Sequence, residues 1–266
     1  FSFNKCSSLT HITIPSSVTK IGANAFSKCL SLRKVTFEDP ISITSFEEGL
    51  FNGCSSLKEI AIPSSITSIC NYAFGGCSSL KEIAIPSSII KIRKGAFDGC
   101  ISLSKITFED PISIKSFEDG LFNGCSSLKE ISIPSSVTFI DDYAFSGCTS
   151  LKKISIPSSV TSIGKYSFNS CSVLEEISIP TSVTSIGENV LNKCKSLKKV
   201  TLPSSLTSIN NGFFIRCSSL KEILIPSSVT HIGDSSFKDC TSLEKITIPS
   251  SVTSIGNSVF KGCSSL

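Results

Sequence analysis

The sequence predicts an α/β solenoid of about eleven coils, each 23–25 residues long, with parallel strands on one face and short helical or 3₁₀ turns elsewhere. Three observations carry that expectation: an almost fixed cysteine spacing, a phenylalanine three residues before nearly every one of those cysteines, and a recurring L-x-x-I-x-I-P string. A repeat period between about 20 and 50 residues marks units that cannot bury an apolar face alone and lean on their neighbours.

Twelve of the 13 cysteines keep register: Cys6, Cys29, Cys54, Cys77, Cys100, Cys125, Cys148, Cys171, Cys194, Cys217, Cys240 and Cys263. The intervals are 23 residues except for two of 25, Cys29 to Cys54 and Cys100 to Cys125. Within a unit, L-x-x-I-x-I puts residues such as Ile154 and Ile156 on one face of a strand, because side chains alternate there. Pro157 has no N–H to give a ladder and ends that strand. The V-T-x-I that follows reads as a second extended segment, Gly164 as a turn, and A-F-x-x-C as a single helical or 3₁₀ turn. The column before the cysteines runs Phe3, Phe26, Phe51, Phe74, Phe97, Phe122, Phe145, Phe168, Leu191, Phe214, Phe237 and Phe260, an aromatic spine read as core. Each such side chain contributes roughly 1.5–3 kcal/mol by burial. Residues 1–266 are expected to form one solenoid domain, truncated at both ends within a repeat, with apolar cross-sections open to end-to-end self-association.

Composition excludes several functions. Charged residues reach only 17%, the net charge is +4 and no basic cluster occurs, which argues against nucleic-acid binding. No apolar run is long enough to span a bilayer. With no Met at all, the sequence reads as an excised or processed segment. His11 and His231 are the only histidines and stand in different columns many coils apart, so no Ser-His-acid or Cys-His site is available. No C-x-x-C pair is present, which removes the structural zinc pattern. Neither a cofactor nor a metal is expected, and the chain reads as a non-enzyme. The column cysteines read as a buried, reduced ladder, since parallel Cβ directions fit disulfide geometry badly. Cys70 is the spare thiol, standing where other units have glycine.

The string SLKKISIPSSVTSIGKYSFNSC at 150–171 resembles the BspA-like leucine-rich repeat family, and the likeness recurs along the whole chain. That family is known from bacterial surface adhesins and from protozoan parasites such as Trichomonas. The resemblance implies a cell-surface or extracellular recognition array that binds host proteins, matrix or other cells; an intracellular scaffold for protein–protein contact is the alternative. It carries over no defined set of binding residues.

Candidate binding residues come instead from departures and columns. The two long units carry FEDPISITSFEEG at 37–49 and FEDPISIKSFEDG at 108–120, and 29–54 agrees with 100–125 at 21 of 26 positions, 71 residues apart. A duplicated block of three units explains this. The two extra residues are expected to bulge outward, with Phe46 and Phe117 still in the core and Glu38, Asp39, Glu47, Glu48, Glu109, Asp110, Glu118 and Asp119 forming two acidic ridges. Such ridges suit a basic partner or a divalent cation, or are solvated loops left by duplication. Five residues after each cysteine an outward column alternates in sign through Glu130, Lys153, Glu176, Lys199, Glu222 and Lys245. Facing opposite charges on rungs about 4.8 Å apart contribute at most about 1 kcal/mol each and favour one register. The small residues two positions on make this face flat, suited to broad protein contact. Phe139, in a column otherwise polar, is expected to be exposed.

Overall fold

Every coil holds two short extended segments, and like segments of successive coils stack in parallel and in register. The computed structural model describes residues 1–266 throughout. The first segment is clearest at Glu82–Ile85, which alternates exposed and buried residues. It pairs with Lys105–Phe108, so that Glu82 faces Lys105 and Ile83 faces Ile106. The period-two pattern thus becomes one charged outer row and one apolar inner row.

The proline that ends the first strand starts a tight turn: the Val160 N–H donates to the Pro157 carbonyl at 3.0 Å. The second serine of P-S-S then reaches back one coil, as Ser159 Oγ donates to the Val137 carbonyl at 2.7 Å. Ser88, Ser182, Ser205, Ser228 and Ser251 make the same bond. The second extended segment follows, with Ser162–Ile163 lying between Phe139–Ile140 and Ser185–Ile186.

The third side corrects the expected class. The chain has no helix, neither α nor 3₁₀, and is a parallel β-solenoid rather than an α/β one. Residues five and one before each column cysteine have positive φ, for example Tyr166 at 55° and Ser170 at 61°. Two left-handed residues four apart interrupt any run of right-handed helix. Backbone donors are consequently shared between two directions. The N–H groups of Tyr166, Phe168 and Ser170 donate to Glu188, Val190 and Asn192 of the next coil, whereas Asn169 and Cys171 close local turns on Tyr166 and Phe168. The segment acts as a further ladder between coils, which the short A-F-x-x-C string does not reveal.

Inside lies one continuous cluster of 75 buried residues. The phenylalanine spine is stacked, with Phe74 and Phe97 at 5.4 Å and 1° between ring planes. All 13 cysteines are free thiols and ten are buried. Each buried thiol also has a partner: Cys148 Sγ donates to the Phe122 carbonyl of the preceding coil at 3.2 Å, a bond repeated along the column.

The two inserts project less than the sequence suggests. Glu38, Asp39 and Pro40 are exposed, but Ile41 and Ile43 return to the core, and Ile112 and Ile114 do the same in the second copy. Phe46 and Phe117 are fully buried, each with its ring edge against the spine, at Phe51 and at Phe122.

Candidate protein-binding surface

Alternation within the first strand turns one row of side chains outward, and that row forms a charged face along the solenoid. Glu130, Lys153, Glu176, Lys199, Glu222 and Lys245 are all exposed on it. Only some neighbours close ion pairs: Lys153 with Glu176 at 3.6 Å and Lys34 with Glu59 at 3.5 Å. A second charged row, one residue earlier in each coil, escaped the sequence reading. There Glu175 sits between Lys152 and Lys198 at 3.3 and 3.4 Å, and hydrogen bonds from the two ammonium groups hold its carboxyl below the usual range. Its signal was present four residues after most column cysteines, where Arg33, Lys58, Lys81, Lys129, Lys152, Glu175, Lys198, Lys221 and Glu244 stand.

The face is not uniformly flat. Between the coils that carry the two inserts it sinks into a trough of about 510 Å³. Ala61 and Ala84 line it where other coils have Thr, Ser or Leu, with Phe37, Asp39 and Pro63 among its other lining residues. Lys34, Glu59, Glu82 and Lys105 also line it, in coil order. The two Phe-Glu-Asp-Pro loops leave equivalent strand ends, since Phe37 pairs with Ile14 and Phe108 with Ile85. They stand three rungs apart, about 14 Å. Glu59 and Glu82 occupy adjacent rungs with like charge, and Glu82 has no ion-pair partner within 4 Å. A like-charge step of this kind works against the register that the alternating rungs favour.

The structure divides the predicted acidic ridges. Glu38, Asp39, Glu109 and Asp110 lie at the end of the first strand, and of these Asp39 lines the trough. Glu47, Glu48, Glu118 and Asp119 come after the second strand, around a corner of the coil. There Glu118 accepts from the Arg93 guanidinium at 3.1 Å and the Lys94 N–H at 3.0 Å, Asp119 pairs with Lys94 at 2.7 Å, and Glu47 accepts from Ser45 Oγ at 2.6 Å. Glu47, Glu118 and Asp119 brace the coil corner, and none of the four lines the trough. Phe139 is 46% exposed, in a short strand between Ser116 and Ser162, and belongs to the second-strand side.

The chain matches a family model described as BspA type leucine rich repeat region, in six copies over residues 1–74, 44–164 and 138–266. Three solved structures share its fold over nearly its whole length. A leucine-rich repeat protein from Bacteroides ovatus ATCC 8483 is 32% identical, with a TM-score of 0.74 over 99% of this chain and 79% of that one. A protein from Faecalibacterium prausnitzii A2-165, described as a leucine rich cell surface protein, is 33% identical with a TM-score of 0.67, over 97% of this chain and 78% of that one. One from Eubacterium ventriosum ATCC 27560 is 28% identical with a TM-score of 0.65, over 98% and 78%. No curated protein sequence matches the chain.

Proposed function

Because the chain belongs to the BspA-type leucine-rich repeat family, a family of non-catalytic protein-binding solenoids, we propose that it is a cell-surface recognition and adhesion module that grips a basic, extended segment of a host, matrix or neighbouring-cell protein in the trough between its two inserts. The observation that carries this reading is the like-charge step at Glu59 and Glu82, placed in the one stretch where two acidic loops flank the strand face. Asp39, Glu59 and Glu82 put three carboxylates in the trough lining against the ammonium groups of Lys34 and Lys105, and Glu38, Glu109 and Asp110 stand on the loops that flank it. An excess of one sign along a trough steers an oppositely charged partner and sets its register. The alanines leave room for a chain to lie against the sheet, and the open, shallow shape suits a peptide better than a small molecule. The surface description of the Faecalibacterium relative supports the same placement for this chain.

Binding of the purified chain to host cells and matrix-coated surfaces tests the reading. Replacing Glu59 and Glu82 together by Lys should weaken binding about tenfold or more and flatten its salt dependence. Unchanged binding by that folded double variant would remove the trough as the site.

A further inference from the structure

Five residues before each column cysteine stands one of the two left-handed positions of the coil. Read along the solenoid this column is Asn24, Gly49, Tyr72, Gly95, Gly120, Tyr143, Tyr166, Asn189, Gly212, Ser235 and Ser258, and it holds all three tyrosines of the chain. Side chains here lean along the axis over the next coil. The Tyr72 ring covers Gly95, Asn24 covers Gly49 and Asn189 covers Gly212. Tyr143 lies flat on Tyr166, with ring centroids 5.0 Å apart and 5° between planes.

Gly95 and Gly120 are consecutive in the column, so two rungs send out no side chain. A Cβ placed on Gly120 would meet only the Cβ of Asn123, at 3.8 Å. The result is a break in the stack two rungs wide, about 10 Å, forming a cleft of about 260 Å³ between Tyr72 and Tyr143. Tyr143 is 42% exposed, with one ring face on Tyr166 and the other bordering the break. Asp98 lines the cleft half-buried; one carboxylate oxygen accepts from Asn123 Nδ2 at 2.9 Å and the other has no protein donor. Asp119, also in the lining, pairs with Lys94, the one cation of the lining. Two carboxylates against one ammonium leave the cleft negative.

We propose that this cleft binds a planar guanidinium group, free or on an arginine side chain of a partner. Guanidinium is flat, weakly hydrated and always charged; it stacks on aromatic faces and presents paired N–H donors to a carboxylate. A gap with the Tyr143 ring as one wall and a carboxylate with a free oxygen in its lining supplies both contacts. An ammonium ion, as a strongly hydrated point charge, uses only the second. The cleft lies at a turn corner, away from the strand-face trough, and stands or falls independently of the function proposed for it.

N-acetyl-arginine methylamide titrated into the full chain, followed by calorimetry and by the resonances of the three tyrosines, provides the test. Saturable binding with a dissociation constant on the order of 1 mM, with Tyr143 shifted most, is expected. The matching lysine derivative should bind about tenfold more weakly. Gly120→Tyr places a ring in the vacant rung at a position where tyrosine is already tolerated, since Tyr72, Tyr143 and Tyr166 have φ of 52–57°. It should abolish binding without loss of melting temperature, and Asp98→Asn should weaken it about tenfold. An arginine-bearing peptide that binds at least tenfold more tightly assigns the guanidinium to a partner protein, and equal affinity assigns it to a free ligand. Absence of saturation, equal binding of the lysine derivative, or full binding by Asp98→Asn overturns the proposal, and the last of these holds even if Gly120→Tyr fails to fold.

Discussion

A buried cysteine in this chain satisfies a carbonyl as well as filling space. At Cys148 the backbone N–H closes a turn on Phe145 while the thiol donates to Phe122 one coil back. Alanine would fill the volume less well and lose that donor, so Cys148→Ala should cost about 1–2 kcal/mol in chemical denaturation. Burial also pushes the thiols up, to about 12 at Cys54, Cys100, Cys148, Cys194 and Cys240. The unfolded chain then releases protons from about pH 9 while the folded one keeps them, so stability is complete below pH 9 and falls as pH rises toward 12. Each of these five thiols loses about 1.4 kcal/mol per pH unit across that window. For these five the sum is about 7 kcal/mol near pH 10, within the range of an ordinary domain's whole stability. A pH series of melting curves should therefore be level to pH 9 and collapse soon after. At neutral pH a thiol reagent should modify Cys6, which is exposed, and Cys70, which is half-buried, well before any column thiol between Cys29 and Cys240. The cysteine column itself was legible from spacing alone. Its hydrogen bonds were not, because nothing in the period says which carbonyl a thiol will face.

At the scale of the element, the strands were legible and the turn corner was misread. L-x-x-I-x-I alternates and ends in proline, and both cues are local. The corner depends on the sign of φ, which Lys, Ser, Tyr and Asp do not announce. A hint lay in the residue just before each cysteine, where Gly53, Gly76, Gly99, Gly124 and Gly147 give way to Ser170, Lys193, Arg216 and Asp239. All of these residues have positive φ. Such a conformation costs a non-glycine residue roughly 1–2 kcal/mol, more if it is β-branched. Ser170→Gly should accordingly raise the melting temperature, by up to about 1 kcal/mol of stability, whereas Gly147→Val should lower it by 2 kcal/mol or so. A Cβ at Gly147 would only touch the Gly124 backbone, at 3.4 Å, so the cost comes from the left-handed φ of 74°. The acidic inserts show the same limit of local reading. Glu38 and Glu47 are nine residues apart in sequence but belong to different sides of a coil, and only the path of Ile41 and Ile43 back into the core decides that.

For the whole molecule, each coil touches only its neighbours, so stability is a sum of coil and interface contributions. The outer coils are thinner in contacts. Ile255 is 51% exposed, whereas Ile163 in the same column of a central coil is 1% exposed. Amide exchange should be slowest between about residues 100 and 200 and quicken toward both ends. Uniform protection along the chain would show a single cooperative unit instead. The overall shape was legible because one period governs all 266 residues. The trough was not, because it arises from three facts far apart in sequence: two inserts, a pair of alanines and one like-charge step, brought together only by stacking.

The corner ladder has a mechanical consequence. Coils are joined by strand, serine and corner bonds that all run along the axis, so a pull on the two termini loads one interface at a time, starting at an end. Under tension the chain should peel coil by coil, each release of 23 residues paying out about 80 Å. A tether built this way lengthens in steps while the coils still wound keep their shape, and any site near the middle of the array is the last to be lost.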